Sequence, residues 1–300
     1  MKTLKKISFY SLQLTLFYVL IATSNLNAAD SVKVKPIKHM FAGSLIIDNQ
    51  TCMVPNKSVF EFVIQHRFGL INNGYKDFLG LYAPSNIRLG FSYVPINNLA
   101  VGIGFTKERM MWDVNAKYSI IKQSVTGGWP LSVTYYGNVG IDTREKAGNF
   151  VNNIDRVSYF HQLMFARKIT KKLSVQVAPS MSYYNNVPAY NYNLVAGNVS
   201  REDSIQPTMN NAHIAMAFLG SYEFTDKMAV IVNYDQPMTT HFANNPRPNV
   251  SFGIQMATAT HTFQIFLGNY QYIVPQVNNF YNQNNFKTSR YCIGFNITKR

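Results

Sequence analysis

From about residue 58 to the end of the chain, apolar and polar residues alternate in one short segment after another. Ile87, Leu89, Phe91 and Tyr93 are interleaved with Arg88, Gly90 and Ser92. Leu99, Val101, Ile103 and Phe105 are interleaved with Ala100, Gly102, Gly104 and Thr106, and Leu131 to Val139 repeats the pattern. A period of two is that of a strand with one apolar face. Repeated this often, with almost no helical periodicity between, it describes an all-β protein, a single antiparallel transmembrane β-barrel.

Twelve segments carry the pattern: 58–68, 86–94, 99–106, 110–121, 130–142, 156–168, 172–184, 212–224, 228–235, 249–258, 261–268 and 289–298. An even count returns both termini to one side of the membrane. Connections after the second, fourth, sixth, eighth and tenth segments are short, whereas the others are longer, with 185–211 the longest. Bacterial barrels keep tight turns on the periplasmic side and long loops outside, so both termini are expected in the periplasm. Only Lys107–Arg109 breaks the alternation, being short where a long loop is due. Three of the turns share one layout, Tyr93–Val101, Arg167–Val175 and Tyr222–Val230, a hairpin repeat within one domain.

Ahead of the barrel, Lys2, Lys5 and Lys6 precede a mostly apolar stretch, and Ala28-Ala29 precede Asp30. This is the layout of a secretory leader over residues 1–28. Residues 29–57 then form a pre-barrel segment that either plugs the lumen or lies in the periplasm, and 58–300 form the barrel. Beyond the leader no run reaches the roughly 18 apolar residues that a membrane helix requires. The expected location is the outer membrane of a Gram-negative bacterium. The expected partners are outer-membrane lipids and lipopolysaccharide, the barrel-assembly machinery and a small solute, with no nucleic acid.

Composition supports the membrane reading. The chain holds 21 Phe and 19 Tyr, side chains that barrels gather into girdles at both membrane surfaces. Loss of the three leader lysines takes the formal charge of +14 to +11. Such a balance either complements anionic head groups or gives the lumen a preference for anions. The basic residues are dispersed and accompany no nucleic-acid motif. Cys52 precedes the first strand and Cys292 falls in the last. These become neighbours on closure, so a disulfide is one option and two unpaired thiols the other.

Several stretches resemble one family: Ile46-Ile-Asp-Asn-Gln-Thr51, Phe60-Glu-Phe-Val-Ile-Gln-His-Arg-Phe-Gly69, Phe78-Leu-Gly-Leu81 and Asn86-Ile-Arg-Leu-Gly90. Tyr159-Phe-His-Gln162, Arg167-Lys-Ile169, His261-Thr-Phe-Gln264 and Gly294-Phe-Asn-Ile297 agree with it. The family is a group of Bacteroidetes outer-membrane barrels known as domain of unknown function 5777. The resemblance spans nearly the whole mature chain but departs at 269–287, which is rich in Asn and Tyr. It implies fold and location and carries no activity.

No catalytic constellation assembles. An acyl hydrolase needs a nucleophilic Ser beside its His, and His66, His161, His213, His241 and His261 have no such neighbour. No spacing suggests a metal, and no cofactor is implied. His66, His161 and His261 fall on the apolar parity and read as packing or interfacial residues. On the polar parity Arg67, Arg88, Asp142, Arg156, His213, Asp235 and Arg290 point inward near the outer end of their strands, with Asp113, Lys117 and Glu61 lower. They form either a salt-bridged, rigid interior or a constriction that selects a small polar or anionic solute. Arg67, Arg88 and Arg290, from strands one, two and twelve, are expected to converge on one arc. Loop residues such as Tyr183-Tyr-Asn-Asn186, Tyr190–Asn193 and Tyr270–Tyr281 suit contacts with carbohydrate or protein. Porin-like passage or binding without covalent chemistry is the leading reading. A structural or interaction barrel with a filled lumen competes with it, and a lipid-modifying enzyme ranks last.

Overall fold

The computed structural model describes residues 35–37, 39–125, 128–191, 205–288 and 290–300. The expected leader and residues 192–204 of the longest loop lie outside these.

Twelve antiparallel strands close into one barrel. They are β1 (Phe60–Leu70), β2 (Asn86–Ile96), β3 (Leu99–Thr106), β4 (Met111–Ile121), β5 (Ser132–Asp142) and β6 (Val157–Lys168). The second half comprises β7 (Leu173–Tyr184), β8 (Ala212–Glu223), β9 (Met228–Pro237), β10 (Asn249–Ala257), β11 (His261–Gly268) and β12 (Cys292–Lys299). Each pairs with its sequence neighbour, and β12 closes on β1, with Asn296 opposite Gln65 and Ile297 opposite Ile64. The strands are 8 to 12 residues long, about what a tilted strand needs to cross a bilayer. Every strand expected from the alternation is present.

Outward positions carry the apolar side chains, among them Ile265 (67% exposed), Val114, Ile254 and Val232. His66, His161 and His261 also face outward. His66 stacks on Phe295 at 5.0 Å, His161 Nδ1 pairs with the Tyr135 hydroxyl at 2.6 Å, and His261 stacks on Phe263. The short hairpin at Lys107–Arg109 is closed by a turn in which Arg109 and Met110 adopt left-handed backbone (φ 57° and 47°).

The lumen is filled. The pre-barrel segment enters at the short-turn end, where Ile37 N donates to Gln123 O at 2.8 Å and Lys168 Nζ to His39 O at 3.1 Å. It climbs into the barrel, reverses at Ile47-Asp48 between the paired Leu45–Ile46 and Asn49–Gln50, and descends into β1. Met40, Phe41, Ile46, Ile47 and Cys52 pack there against inward Phe160, Met164, Leu219 and Ile231. From the opposite end the last long loop folds inward as helix α1 (Pro275–Tyr281), with Gln276, Asn278 and Phe280 fully buried. This corrects the surface-contact role expected of Tyr270–Tyr281. Ile273, Val274, Val277 and Phe280 sit at helical spacing, and that apolar face is buried inside the barrel.

The two cysteines do not pair. Cys52 is held near the short-turn end, its N–H donating to Gln176 Oε1 at 2.9 Å and its carbonyl accepting from Thr134 Oγ1 at 3.1 Å. Cys292 opens β12 at the other end, its thiol on Tyr270 O. The thiols differ in height and in sector, because the plug carries Cys52 across the lumen to β5 and β7 while Cys292 stays on β12. Burial pushes the Cys52 thiol up to about 12, so it stays protonated and unreactive. Maleimide should leave Cys52 unlabelled in the folded protein and label two thiols after unfolding without reductant. No labelled thiol, with two appearing once reductant is added, would show a disulfide after all.

Candidate functional site

Three clusters form where the plug, the inward helix and the wall meet. The first holds the tip of the plug. Ile47 has left-handed backbone (φ 57°), a conformation costly for a β-branched residue and kept only where its surroundings fix it. They do so here. Its carbonyl accepts from Asn296 Nδ2 at 2.6 Å, Arg67 Nη2 at 3.2 Å and Gln65 Nε2 at 3.4 Å, while its N–H donates to Gln264 Oε1 at 3.1 Å. Beside it the Asp48 carboxylate accepts from Tyr270 Oη at 2.5 Å, Asn278 Nδ2 at 2.6 Å and Asn233 Nδ2 at 3.0 Å. Burial pushes the Asp48 carboxyl above its ordinary value, and these donors and Arg67 oppose the shift. Asp235 on β9 accepts from Asn49 Nδ2 at 2.8 Å and from Asn233 Nδ2 at 3.0 Å. Plug, wall and inward helix are thus joined by one polar network. Exposing each buried apolar residue of the plug would cost about 1.5–3 kcal/mol, so withdrawal of the whole segment is opposed by several such terms at once.

The second cluster sits on β2 and β4. Arg88 meets Asp113 side-on, Nε to Oδ2 and Nη2 to Oδ1 both at 2.8 Å, and its Nη1 donates to Gln65 Oε1 at 3.0 Å. Asp113 also accepts from Asn138 Nδ2 at 2.8 Å and Asn115 Nδ2 at 3.1 Å, and its side chain is wholly buried. Lower down, Lys117 Nζ donates to Gln50 Oε1 at 2.9 Å and Ser44 O at 3.0 Å. Glu61 accepts from Ser44 Oγ and from Arg300 Nε.

The third cluster lines a cavity of about 260 Å³ at the long-loop end, bounded by Arg109, Asp142, Arg144, Arg156, Tyr184 and Tyr281. Arg144 is paired with Asp142 at 2.6 Å. Arg156 donates to the carbonyl of Asp142 and lies over Phe150, and Arg109 lies 4.1 Å over the Tyr281 ring. Among the described residues neither of these two guanidinium groups has a carboxylate within ion-pair distance. Behind the cavity His213 is sealed against His241, Nδ1 to Nε2 at 2.9 Å, and both rings contact Phe280. Because His241 Nδ1 accepts from Asn210 N–H, its proton lies on Nε2 and is donated to His213.

The residues read as one constriction therefore separate into different jobs. Arg67 and Asp235 clamp the plug, Arg88 and Asp113 pair on the wall, Asp142 and Arg156 border the cavity at the long-loop end, and His213 latches the inward helix. Arg290 is exposed in the loop ahead of β12, so it does not converge with Arg67 and Arg88. Of the residues that organise the interior, Asn49, Gln65, Gln264 and Asn296 fall in the stretches that carry the family resemblance, but neither they nor Asn233 stand out in the sequence as site residues. Their one signal was a run of Asn and Gln on the inward parity. Among the described residues no cluster of three or more His, Cys, Asp or Glu is disposed to hold a metal.

A family described as a membrane-bound β-barrel domain, domain of unknown function 5777, matches residues 41–300. The chain belongs to that family. The match starts within the plug segment of this chain. The protein is a membrane-bound β-barrel. Among solved structures, the NanC porin overlaps it with a TM-score of 0.47 at 10% identity, covering 80% of this chain and 98% of that one. The KdgM porin gives 0.44 at 10%, covering 80% and 98%. An outer membrane channel from Pseudomonas putida F1 gives 0.47 at 10%, covering 82% and 96%. Overlaps this loose carry no weight for cargo or mechanism. A search of the curated proteins finds no match.

Proposed function

We propose that this is a porin-like barrel for a small polar or anionic solute, without covalent chemistry, collecting the solute at its arginine-bordered outer cavity. In this reading the leader (1–28) is removed, residues 29–57 stay with the barrel as its internal plug, and the barrel domain (58–300) keeps both termini and the short turns in the periplasm. The supporting observation is the 260 Å³ cavity, where Arg109 and Arg156 form no ion pair among the described residues and stand above a polar interior. Convergent positive charge favours anions, and the effect fades as salt shortens the Debye length to about 10 Å at 0.1 M.

Planar-bilayer conductance of the refolded protein is the test. Wild type should prefer anions at low ionic strength, and Arg109→Gln with Arg156→Gln should reduce that preference several-fold while the barrel stays folded. Unchanged selectivity would remove the cavity from the permeation path. The filled lumen favours a second reading, a structural or interaction barrel with working outer loops. A folded wild type that passes no current would put that reading first.

A further inference from the structure

The plug does not occupy the lumen evenly. Most bonds to its tip come from the arc from β9 through β12 to β1, by Asn233 and Asp235 through Asn49, and by Gln264, Asn296 and Arg67 through Ile47. Across the lumen it is held by Gln162 on β6 through Asn49 and, lower down, by Lys117 on β4 through Gln50 and Ser44. On the facing arc, β1 to β6, two cavities remain between plug and wall. The lower, of about 50 Å³, is bordered by Ser44, Pro55, Ser92, Ala100, Asn115 and Lys117, and has room for a few waters at roughly 10–15 Å³ each. The upper, of about 10 Å³, reaches Phe160, Gln162, Ile273 and Pro275 beneath the inward helix. Both are bordered by the same four residues, Gln50, Gln65, Arg88 and Tyr136. Above the upper cavity, Gln276 bonds Asn138 and Ser158, and Ser158 also lines the outer cavity.

The wall explains the space. Gly90, Gly102 and Gly104 fall on the inward parity of β2 and β3, and Arg88 lies flat over two of them. A Cβ on Gly104 would stand 2.2 Å from Arg88 Nη2 and 2.4 Å from Asp113 Oδ2, and one on Gly90 would stand 2.7 Å from Arg88 Nη1. Any side chain there would push Arg88 across the gap. Arg88 keeps part of its side chain, 12%, open to the cavities, whereas the Asp113 carboxylate is fully buried. Glu61 is likewise turned to Ser44 and Arg300. Of the carboxylates that border the two cavities, Glu61 is thus engaged and Asp48 is held by Tyr270, Asn278 and Asn233, which leaves Arg88 and Lys117 as the charged donors along the gap.

Resting on the porin-like reading, we infer that permeation runs beside the plug rather than through its removal. The path is a slot along the glycine-faced β2–β3 wall, taken by water and halide-sized anions, with Arg88 as its gate and selectivity residue. Larger solutes stop at the outer cavity.

The experiment ties the plug to the wall and measures current in potassium chloride. Ser132→Cys offers native Cys52 a partner, since the Ser132 hydroxyl lies within hydrogen-bond reach of the Cys52 thiol, and Asn49→Cys with Asn233→Cys, whose side chains meet at 2.9 Å, is a second tether. Bond formation is read by peptide mass before and after reduction. The oxidised, tied protein should conduct within about twofold of the reduced form and keep its chloride preference. In the tied background, Arg88→Gln with Asp113→Asn should abolish that preference and change the current several-fold, and Ser92→Phe, which narrows the lower cavity without touching the ion pair, should cut it at least fivefold. Current lost more than tenfold on oxidation and regained on reduction would overturn the slot while leaving passage itself standing. Absence of current in both forms would overturn passage and the slot together, and full current in the tied Ser92→Phe protein would overturn the slot alone.

Discussion

Arg88→Ala is expected to destabilise the barrel by about 3–5 kcal/mol, the cost of leaving a buried carboxylate without its cation. Asp113 has a wholly buried side chain, and of its contacts with Arg88, Asn115 and Asn138 only the first brings compensating charge. Asp113 itself borders neither of the small cavities beside Arg88. The penalty belongs to the orphaned charge rather than to a valuable bond, so adding Asp113→Asn should recover most of it. The measurement is the urea midpoint of the lipid-embedded protein, followed by heat-dependent gel mobility. A double variant no more stable than Arg88→Ala alone would mean that the pair acts through packing over Gly90 and Gly104 instead.

Ile265→Arg should cost about 2–4 kcal/mol or block insertion, since Arg is penalised in that range when it faces lipid near the bilayer midplane. Ile265 lies at the centre of β11, 67% exposed, opposite Ile254 on one side and Phe295 on the other. Tyr222, also outward and 50% exposed, ends β8 near the short turns. Tyr222→Arg should therefore cost only about 0–1 kcal/mol. Equal penalties at the two depths would place the apolar band elsewhere on the wall. An inward position cannot serve as the tolerant control, as the alternation alone would suggest. Ser132 faces inward, is buried, and accepts from Gln123 N–H at 2.9 Å, so an arginine there meets a filled interior rather than water.

Strand number, order, facing and the alternation of short and long connections were all legible in the sequence. Each rests on a local rule: a period of two, turn chemistry, and the need of a membrane strand to pair on both edges. Family membership was legible too, in stretches such as Phe60–Gly69 and Asn86–Gly90. The contents of the lumen were not. Phe160 and Met164 share a strand with outward Tyr159, Leu163 and Phe165, and alternation cannot rank two faces when both are apolar. Those inward side chains exist because Met40 and Phe41 pack on them, a contact made across more than a hundred residues. The same holds for the candidate site. Ile47 meets Gln264 and Asn296, and Asn49 meets Asp235, at separations of 186 to 249 residues. Such pairs have no periodicity to betray them. They are decided when closure of the sheet brings remote strands around one short segment, whose backbone donors and acceptors must find partners away from water. The sequence determined that a barrel forms and where it resides; the tertiary structure alone decided that its interior is occupied, on which side the plug is pinned, and hence where space for a solute remains.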